Sequence, residues 1–131
     1  STAVGTCGRG AVARLTSMSA PTCLFCKIVA GTIPAAIVAE SAHSLAFRDI
    51  EPQAPSHVLV IPRKHVGNVA DLAHDPEALA DLFVLAGRVA DEEGLDRGYR
   101  MVANTGSLGG QVVFHAHVHV LGGRRMQWPP G

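Results

Sequence analysis

Hydrophobic residues recur every three or four positions between residues 76 and 93, which predicts one long amphipathic helix. Asp75 and Pro76 suit its N-cap and first position, and Gly94 suits its end. A shorter helical turn over residues 25–29 precedes Gly31, a residue type that commonly follows a helix end. The apolar face predicted for the long helix is Leu79, Leu82, Phe83, Ala86, Val89 and Ala90.

Short runs of apolar and β-branched residues, separated by prolines and glycines, predict the strands. The longest of them directly follows a glycine-rich loop at residues 104–110. The predicted strands are residues 37–40, 44–47, 57–61, 99–103 and 112–121. Together the elements predict an α+β fold, an antiparallel five-stranded sheet with one main helix on one face and a short N-terminal helix.

Composition narrows the classes of partner. The chain has 131 residues, of which 47% are hydrophobic and 17% charged, as expected for one globular domain. Its formal net charge is zero, so no overall field draws it to nucleic acid or to a membrane surface, although a local site for one small anion stays open. No apolar run is long enough to predict a membrane span.

Residues 1–20 differ from the rest of the sequence because they show no periodicity and contain no acidic residue. They are interpreted as a flexible leader, with the folded domain at residues 21–131. The alternatives are a transit-peptide remnant or sequence upstream of a start at Met18.

Three histidines, His115, His117 and His119, alternate on the last predicted strand. Side chains alternate between the two faces of a strand, so the three imidazoles are expected on one face. The opposite face then carries Ala116, Val118 and Val120 toward a core. Such a triad could form a zinc site, a pH switch or a catalytic site for an anionic group.

The loop before this strand favours the third use. Gly109 and Gly110 allow main-chain N–H groups to approach an anion closely, which places phosphate donors beside the imidazoles. A neutral imidazole is a good nucleophile, and a neighbouring ring can donate to a phosphoryl oxygen or to a leaving amine. Phosphoryl transfer needs mainly this positioning and charge stabilisation.

Cys23 and Cys26 form a Cys-x-x-Cys pair, which indicates either half of a zinc site or a redox pair. Three cysteines in all make a disulfide scaffold implausible and indicate a reducing compartment. The expected location is the cytoplasm, or an organelle if residues 1–17 are a targeting remnant.

The histidine segment, residues 115–121, alternates as His-φ-His-φ-His-φ-φ with φ apolar, and in this it resembles the histidine-triad (HIT) superfamily. Segments 50–57, 60–65 and 98–102 and the tail ending Trp-Pro-Pro-Gly make the chain most similar to the histidine-triad nucleotide-binding branch. The resemblance implies a HIT-like fold, a two-fold homodimer and hydrolysis of purine nucleoside 5′-phosphoramidates through a nucleotidyl-histidine intermediate. It implies AMP and GMP as bound nucleotides.

Residue roles follow from the same resemblance. His117 takes the place of the nucleophile, oriented by the main-chain carbonyl of His115, while His119 contacts the phosphate and leaving group and His57 supports it. Asp49 matches the ribose contact, although alone it could cap a turn. The implied nucleotide-binding residues are Leu24, Phe25, Ile28, Phe47, Asp49, Ile50, Leu59, Asn104, Gly110, Gln111, Val112, His117, His119 and Trp128. From the residues alone, the apolar members could equally be core.

The resemblance also implies a structural zinc held by Cys23, Cys26, His65 and His115, with no cofactor required for catalysis. Val112 is a departure, because many relatives carry a serine there, and the lost hydroxyl is worth about 1 kcal/mol of phosphate binding. Two other functions stay open: a nucleotide-binding adaptor with vestigial catalysis, and a zinc hydrolase that uses the triad as ligands.

Overall fold

The computed structural model describes residues 22–131, so the predicted leader at residues 1–20 lies outside the described residues. A single turn of 3₁₀ helix, Ser107–Gly109, interrupts the glycine-rich loop. The helices are α1 (Leu24–Ala30), α2 (Val69–Leu72) and α3 (Pro76–Glu92). The strands are β1 (Ile37–Glu40), β2 (Ser44–Arg48), β3 (Ser56–Pro62), β4 (Tyr99–Val102) and β5 (Val118–Gly122).

The strands form one antiparallel five-stranded sheet in the order β1-β2-β3-β5-β4. The last strand in sequence therefore lies inside the sheet, between β3 and β4. Its register places His119 opposite Leu59 and Leu121 opposite His57. The predicted α+β fold is confirmed.

Helix α3 packs on one face of the sheet and makes the larger core. Its N-terminus is capped by Asp75, whose side chain accepts a hydrogen bond from the N–H of Ala78 at 3.2 Å. The buried face consists of Ala78, Leu82, Leu85, Ala86, Val89 and Ala90. The prediction for Phe83 is wrong, because the side chain is 40% exposed. At 100° per residue it lies on the flank of the stripe centred on Leu82 and Ala86.

The predicted strand at residues 112–121 is only partly correct, because β5 begins at Val118. Pairing between β3 and β5 stops at Val60 and Val118, two residues before Pro62, which has no N–H to donate. The carbonyl of Pro62 instead accepts from Nε2 of the His115 ring at 2.9 Å. Residues 112–117 are therefore irregular, and only the third triad histidine lies on a strand.

The other face of the sheet carries α1 and a smaller core of Phe25, Leu45, Phe47, Leu59 and Ile61. Helix α1 begins after Cys23, whose sulfur accepts a hydrogen bond from the N–H of Cys26, and ends at Gly31 with a φ of 76°. This helix brings the cysteine pair to the histidine segment. Within residues 22–131, no helix has the length and apolar character needed to cross a membrane.

Candidate active site

His117 lies at the centre of the histidine cluster and is only 6% exposed. Its Nδ1 donates to the main-chain carbonyl of His115 at 2.7 Å, which leaves the lone pair of the neutral ring on Nε2. The edge of Phe25 packs against the ring with centroids 5.2 Å apart. Burial lowers the pKa of His117, against the opposing effect of the hydrogen bond to His115. The ring is thus neutral at neutral pH, as a nucleophile requires.

His119 and His57 form a hydrogen-bonded pair beside His117. His119 and His117 have ring centroids 5.0 Å apart, and Nδ1 of His119 lies 2.9 Å from Nε2 of His57. The carboxylate of Asp49 lies 3.4 Å from the same Nε2. Burial lowers the pKa of His57. Burial, and then the neighbouring His117 and His57, lower the pKa of His119 to about 4.

The lowered pKa of His119 makes stability depend on pH. In the unfolded chain this histidine takes up a proton near its ordinary pKa of about 6.5, whereas in the folded protein it stays neutral. The unfolded state therefore binds more protons, and the free energy of unfolding falls as pH is lowered from about 7 to about 5. We expect His119 to contribute about 1 to 2 kcal/mol of this fall.

Chemical denaturation at the two pH values measures the effect. His119→Asn should lose less stability on acidification than the wild type, whereas His74→Asn, a change at an exposed histidine, should behave like the wild type. An equal pH dependence in all three proteins would contradict the assignment.

The loop before the triad has the backbone that a phosphate cradle needs. Gly106 and Gly110 have positive φ values of 78° and 92°, which side-chain-bearing residues rarely adopt. Gln111 is buried, and its amide nitrogen donates to the carbonyls of Gly67 and Val113 while its oxygen accepts from the N–H of Gly106. The Gln111 side chain therefore shapes the loop from within. The side chain of Val112 is 84% exposed.

The apolar members of the implied nucleotide-binding set lie partly in the core and partly on the surface. Phe25, Phe47 and Leu59 are buried together, with the two aromatic rings edge to face at 5.5 Å. Leu24 and Ile50 are 48% and 95% exposed, so they are available to a ligand. Ile28 packs against the core from the side, Asn104 lies within 4 Å of a Cβ placed on Gly110, and Trp128 is 83% exposed in the tail.

A second cluster shares His115 with the triad and consists of Cys23, Cys26, His65 and His115. Nδ1 of His115 is 3.3 Å from Sγ of Cys23, 3.5 Å from Sγ of Cys26 and 3.2 Å from Nδ1 of His65. Nδ1 of His65 is 3.4 Å from Sγ of Cys26. The side-chain hydrogen bond with Cys26 lowers the pKa of the Cys23 thiol most, and those with His115 and His65 add to it against the effect of burial.

These distances fit a tetrahedral metal site. Zinc bonds of about 2.3 Å to sulfur and about 2.0 to 2.1 Å to nitrogen give nitrogen–nitrogen and nitrogen–sulfur separations of about 3.3 to 3.6 Å at a tetrahedral angle. Nε2 of His115 donates to the carbonyl of Pro62, so the lone pair of the neutral ring is on Nδ1, toward the thiols. Cys23 has the lowered pKa that a thiolate ligand needs.

The second group close enough to hold a cation, Asp49, His57 and His119, fits less well. The N–H of Gln53 donates to Nδ1 of His57 at 3.0 Å, so neutral His57 carries its proton on Nε2, the atom a metal would need. The triad itself does not converge on one point either, because the His115 ring turns to the thiols and Nδ1 of His117 turns to a carbonyl.

Sequence reasoning named the ionisable side chains and the His115 carbonyl at Nδ1 of His117, but not the other main-chain groups that orient the rings. The carbonyl of Pro62 and the N–H of Gln53 each bind a ring nitrogen of a buried histidine. Such contacts depend on loop geometry, and no residue pattern signals them. The sequence also did not predict the T-shaped contacts of Phe25 with His115 and His117, although it placed Phe25 in the site.

The chain belongs to the HIT family, since the HIT domain matches residues 30–126. A HIT family hydrolase from Legionella pneumophila has a solved structure that is 54% identical, with a TM-score of 0.80 over 84% of this chain and 100% of that one. A histidine triad nucleotide-binding protein from Candida albicans is 32% identical, with a TM-score of 0.72 over 82% and 83% of the two chains. A 14 kDa zinc-binding protein from Zea mays is 49% identical over 82% of this chain and 87% of its own.

Proposed function

We propose that this protein hydrolyses purine nucleoside 5′-phosphoramidates through a nucleotidyl-histidine intermediate, as a member of the nucleotide-binding branch of the HIT family. The observation that carries the proposal is the orientation of His117. Its Nδ1–H is held by the carbonyl of His115 at 2.7 Å, so the lone pair is on Nε2 of a neutral ring. A glycine-rich loop with positive φ values at Gly106 and Gly110 precedes the triad segment in the chain.

The reaction has two displacements at phosphorus. Nε2 of His117 attacks phosphorus, the P–N bond to the leaving amine breaks, and the leaving nitrogen takes up a proton from solvent. Water then attacks the phosphorus of the nucleotidyl-histidine and loses a proton to solvent, the bond to Nε2 breaks, and the nucleoside monophosphate is released. Main-chain N–H groups of the loop at residues 104–112 stabilise the negative phosphoryl oxygens in both steps.

Binding of the nucleoside uses the neighbouring groups. Asp49 accepts hydrogen bonds from the ribose hydroxyls. Its Oδ1 also accepts a hydrogen bond from the N–H of Glu51 at 2.8 Å, which fixes the carboxylate. The purine lies against the exposed side chains of Leu24 and Ile50, above the buried aromatic pair. The exposed methyl groups of Val112 offer no hydroxyl to the phosphate, so we expect a changed rate or preference and an active site.

Cys23, Cys26, His65 and His115 would hold a zinc ion with four protein ligands. Such a closed site has no open position for water, so the metal would supply stability and no chemistry. It would tie α1 to the segment after β3 and to the triad segment.

Steady-state hydrolysis of adenosine and guanosine 5′-phosphoramidates by the purified protein tests the proposal. We expect turnover with both substrates, and turnover that persists in the presence of a chelator. Nucleotide binding without turnover would favour the adaptor function, for which the exposed Val112 is the specific observation. If turnover depends completely on added metal while the fold stays intact, the result would favour a zinc hydrolase.

We also propose a homodimer. Phe83 and Val84 on the outer side of α3 are 40% and 70% exposed, and Tyr99 on the edge strand β4 is 42% exposed, which leaves apolar surface for a second copy. Sedimentation equilibrium at micromolar concentration should give a dimer. Val84→Glu should give a monomer, while Ile37→Glu at the opposite sheet edge should stay dimeric. A monomeric wild type would refute the proposal.

A further inference from the structure

A chain of hydrogen bonds runs from the loop after β2 to His119. The N–H of Gln53 donates to Nδ1 of His57 at 3.0 Å, and Nε2 of His57 lies 2.9 Å from Nδ1 of His119. A main-chain N–H can only donate, so Nδ1 of His57 must be an unprotonated acceptor. This one contact fixes the direction of every hydrogen bond that follows.

The proton positions can be deduced in order along the chain. Neutral His57 carries its proton on Nε2, which faces Nδ1 of His119 and lies 3.4 Å from the carboxylate of Asp49. Nδ1 of His119 must then accept, so neutral His119 carries its own proton on Nε2. A second proton on either ring would break one of these hydrogen bonds.

The loop that contains Gln53 is held in place by residues that follow β5. Nε of Arg124 donates to the carbonyl of Gln53 at 3.1 Å, while Nη1 donates to the carbonyl of Arg125 at 3.2 Å. Gly123 has a φ of +92°, and a Cβ placed there would lie 2.9 Å from Cβ of Pro55. The turn after β5 therefore lies in close contact with the loop at residues 53–55.

We propose that the main-chain N–H of Gln53, held in place by Arg124, is a positioning group that fixes His119 as the tautomer protonated at Nε2. Gln53 and Arg124 act only through His57 and His119. The assignment of the tautomer does not need any substrate, whereas its catalytic consequence rests on the proposed function.

That consequence is a division of roles between two adjacent rings. His117 is protonated on Nδ1, toward the carbonyl of His115, and offers a lone pair on Nε2. His119 is protonated on Nε2 and offers a donor, with its ring centroid 5.0 Å from that of His117. The site therefore presents a nucleophilic nitrogen next to a neutral hydrogen-bond donor for the phosphoryl group. Asp49, His57 and His117 are the titratable groups that surround His119.

Nitrogen-15 spectra of protein labelled in the histidine rings test the tautomers directly. At neutral pH and without substrate, we expect His57 and His119 to carry the proton on Nε2, and His117 to carry it on Nδ1. His119 protonated on Nδ1, or exchanging between the two forms, would overturn the inference. The result is independent of hydrolysis, so an inactive protein with the expected spectra would defeat the proposed function alone.

Substitution of Arg124 tests whether this side chain holds the loop at Gln53 in place. Arg124→Met should give His119 a mixture of tautomers and lower kcat roughly tenfold, with KM changed less than about twofold. Arg124→Lys keeps a donor for the Gln53 carbonyl and should restore most of the loss. The control is Arg125→Met, at a neighbouring exposed arginine, with unchanged spectra and kcat expected. If Arg124→Met leaves the His119 spectrum as in the wild type, Arg124 does not hold the loop.

Discussion

Replacing His117 by alanine is expected to lower the turnover of adenosine 5′-phosphoramidate by roughly 10⁴-fold or more. The substitution removes the atom that forms the covalent bond to phosphorus, a contact that exists only along the reaction path. Nucleotide affinity should change little, because the loop at residues 104–112, Asp49 and the exposed side chains of Leu24 and Ile50 remain. Turnover and equilibrium binding of AMP, measured on the same preparation, separate the two effects.

His74→Ala is the matched control, since it removes an exposed histidine between α2 and α3 and should leave both quantities unchanged. Near-normal turnover of His117→Ala would show that the covalent mechanism is wrong. A parallel loss of turnover and of AMP binding would also contradict the account, because it would make His117 a binding residue.

Loss of the cluster formed by Cys23, Cys26, His65 and His115 should have the largest effect on stability. Metal bound to a site that exists only in the folded state contributes its binding free energy to folding. A loss of a few kcal/mol in the free energy of unfolding lowers Tm by about 10 °C or more in a domain of this size. Chelation, and the double variant Cys23→Ala with Cys26→Ala, should each lower Tm by that amount in thermal unfolding.

Cys7→Ala removes the remaining cysteine of the sequence, outside the proposed ligands, and serves as the control with unchanged Tm and metal content. The fraction of protein that stays folded after chelation should keep its turnover, because His117 needs no metal to attack phosphorus. One zinc per chain combined with full loss of turnover in a chelated, folded protein would place the metal in the mechanism.

The fold was predictable where its signals are local. The α3 helix carries its start signal at Asp75 and Pro76 and its apolar stripe within one segment, so its range follows from the sequence. The prediction of a strand at residues 112–121 was only partly correct, because the length of that strand depends on a distant partner. Pairing stops near Pro62, and the His115 ring takes the carbonyl that a strand neighbour would have used.

In the candidate site too, the features with local sequence signals were predictable and those set by distant contacts were not. The spacing of the triad and of the cysteine pair singled out the side chains of the candidate site, and the structure places His117 and His119 in ring contact. The ring of His117 is oriented by a carbonyl in its own segment, that of His115, whereas the ring of His119 depends through His57 on the N–H of Gln53, which belongs to another segment. The donor role of His119 is therefore a property of tertiary structure, whereas the acceptor role of His117 is set locally.

The central claim, a covalent nucleotidyl-histidine, is tested most directly by stopping the reaction during turnover and weighing the intact protein. Base quenching within the first turnovers of adenosine 5′-phosphoramidate, followed by mass spectrometry without exposure to acid, should show a fraction of chains carrying one AMP group. Peptide mapping should place it on His117, and the base-stable, acid-labile character of a phosphorus–nitrogen bond should distinguish it from an ester. Rapid turnover with no adduct at any quench time, or an adduct on another residue, would contradict the account.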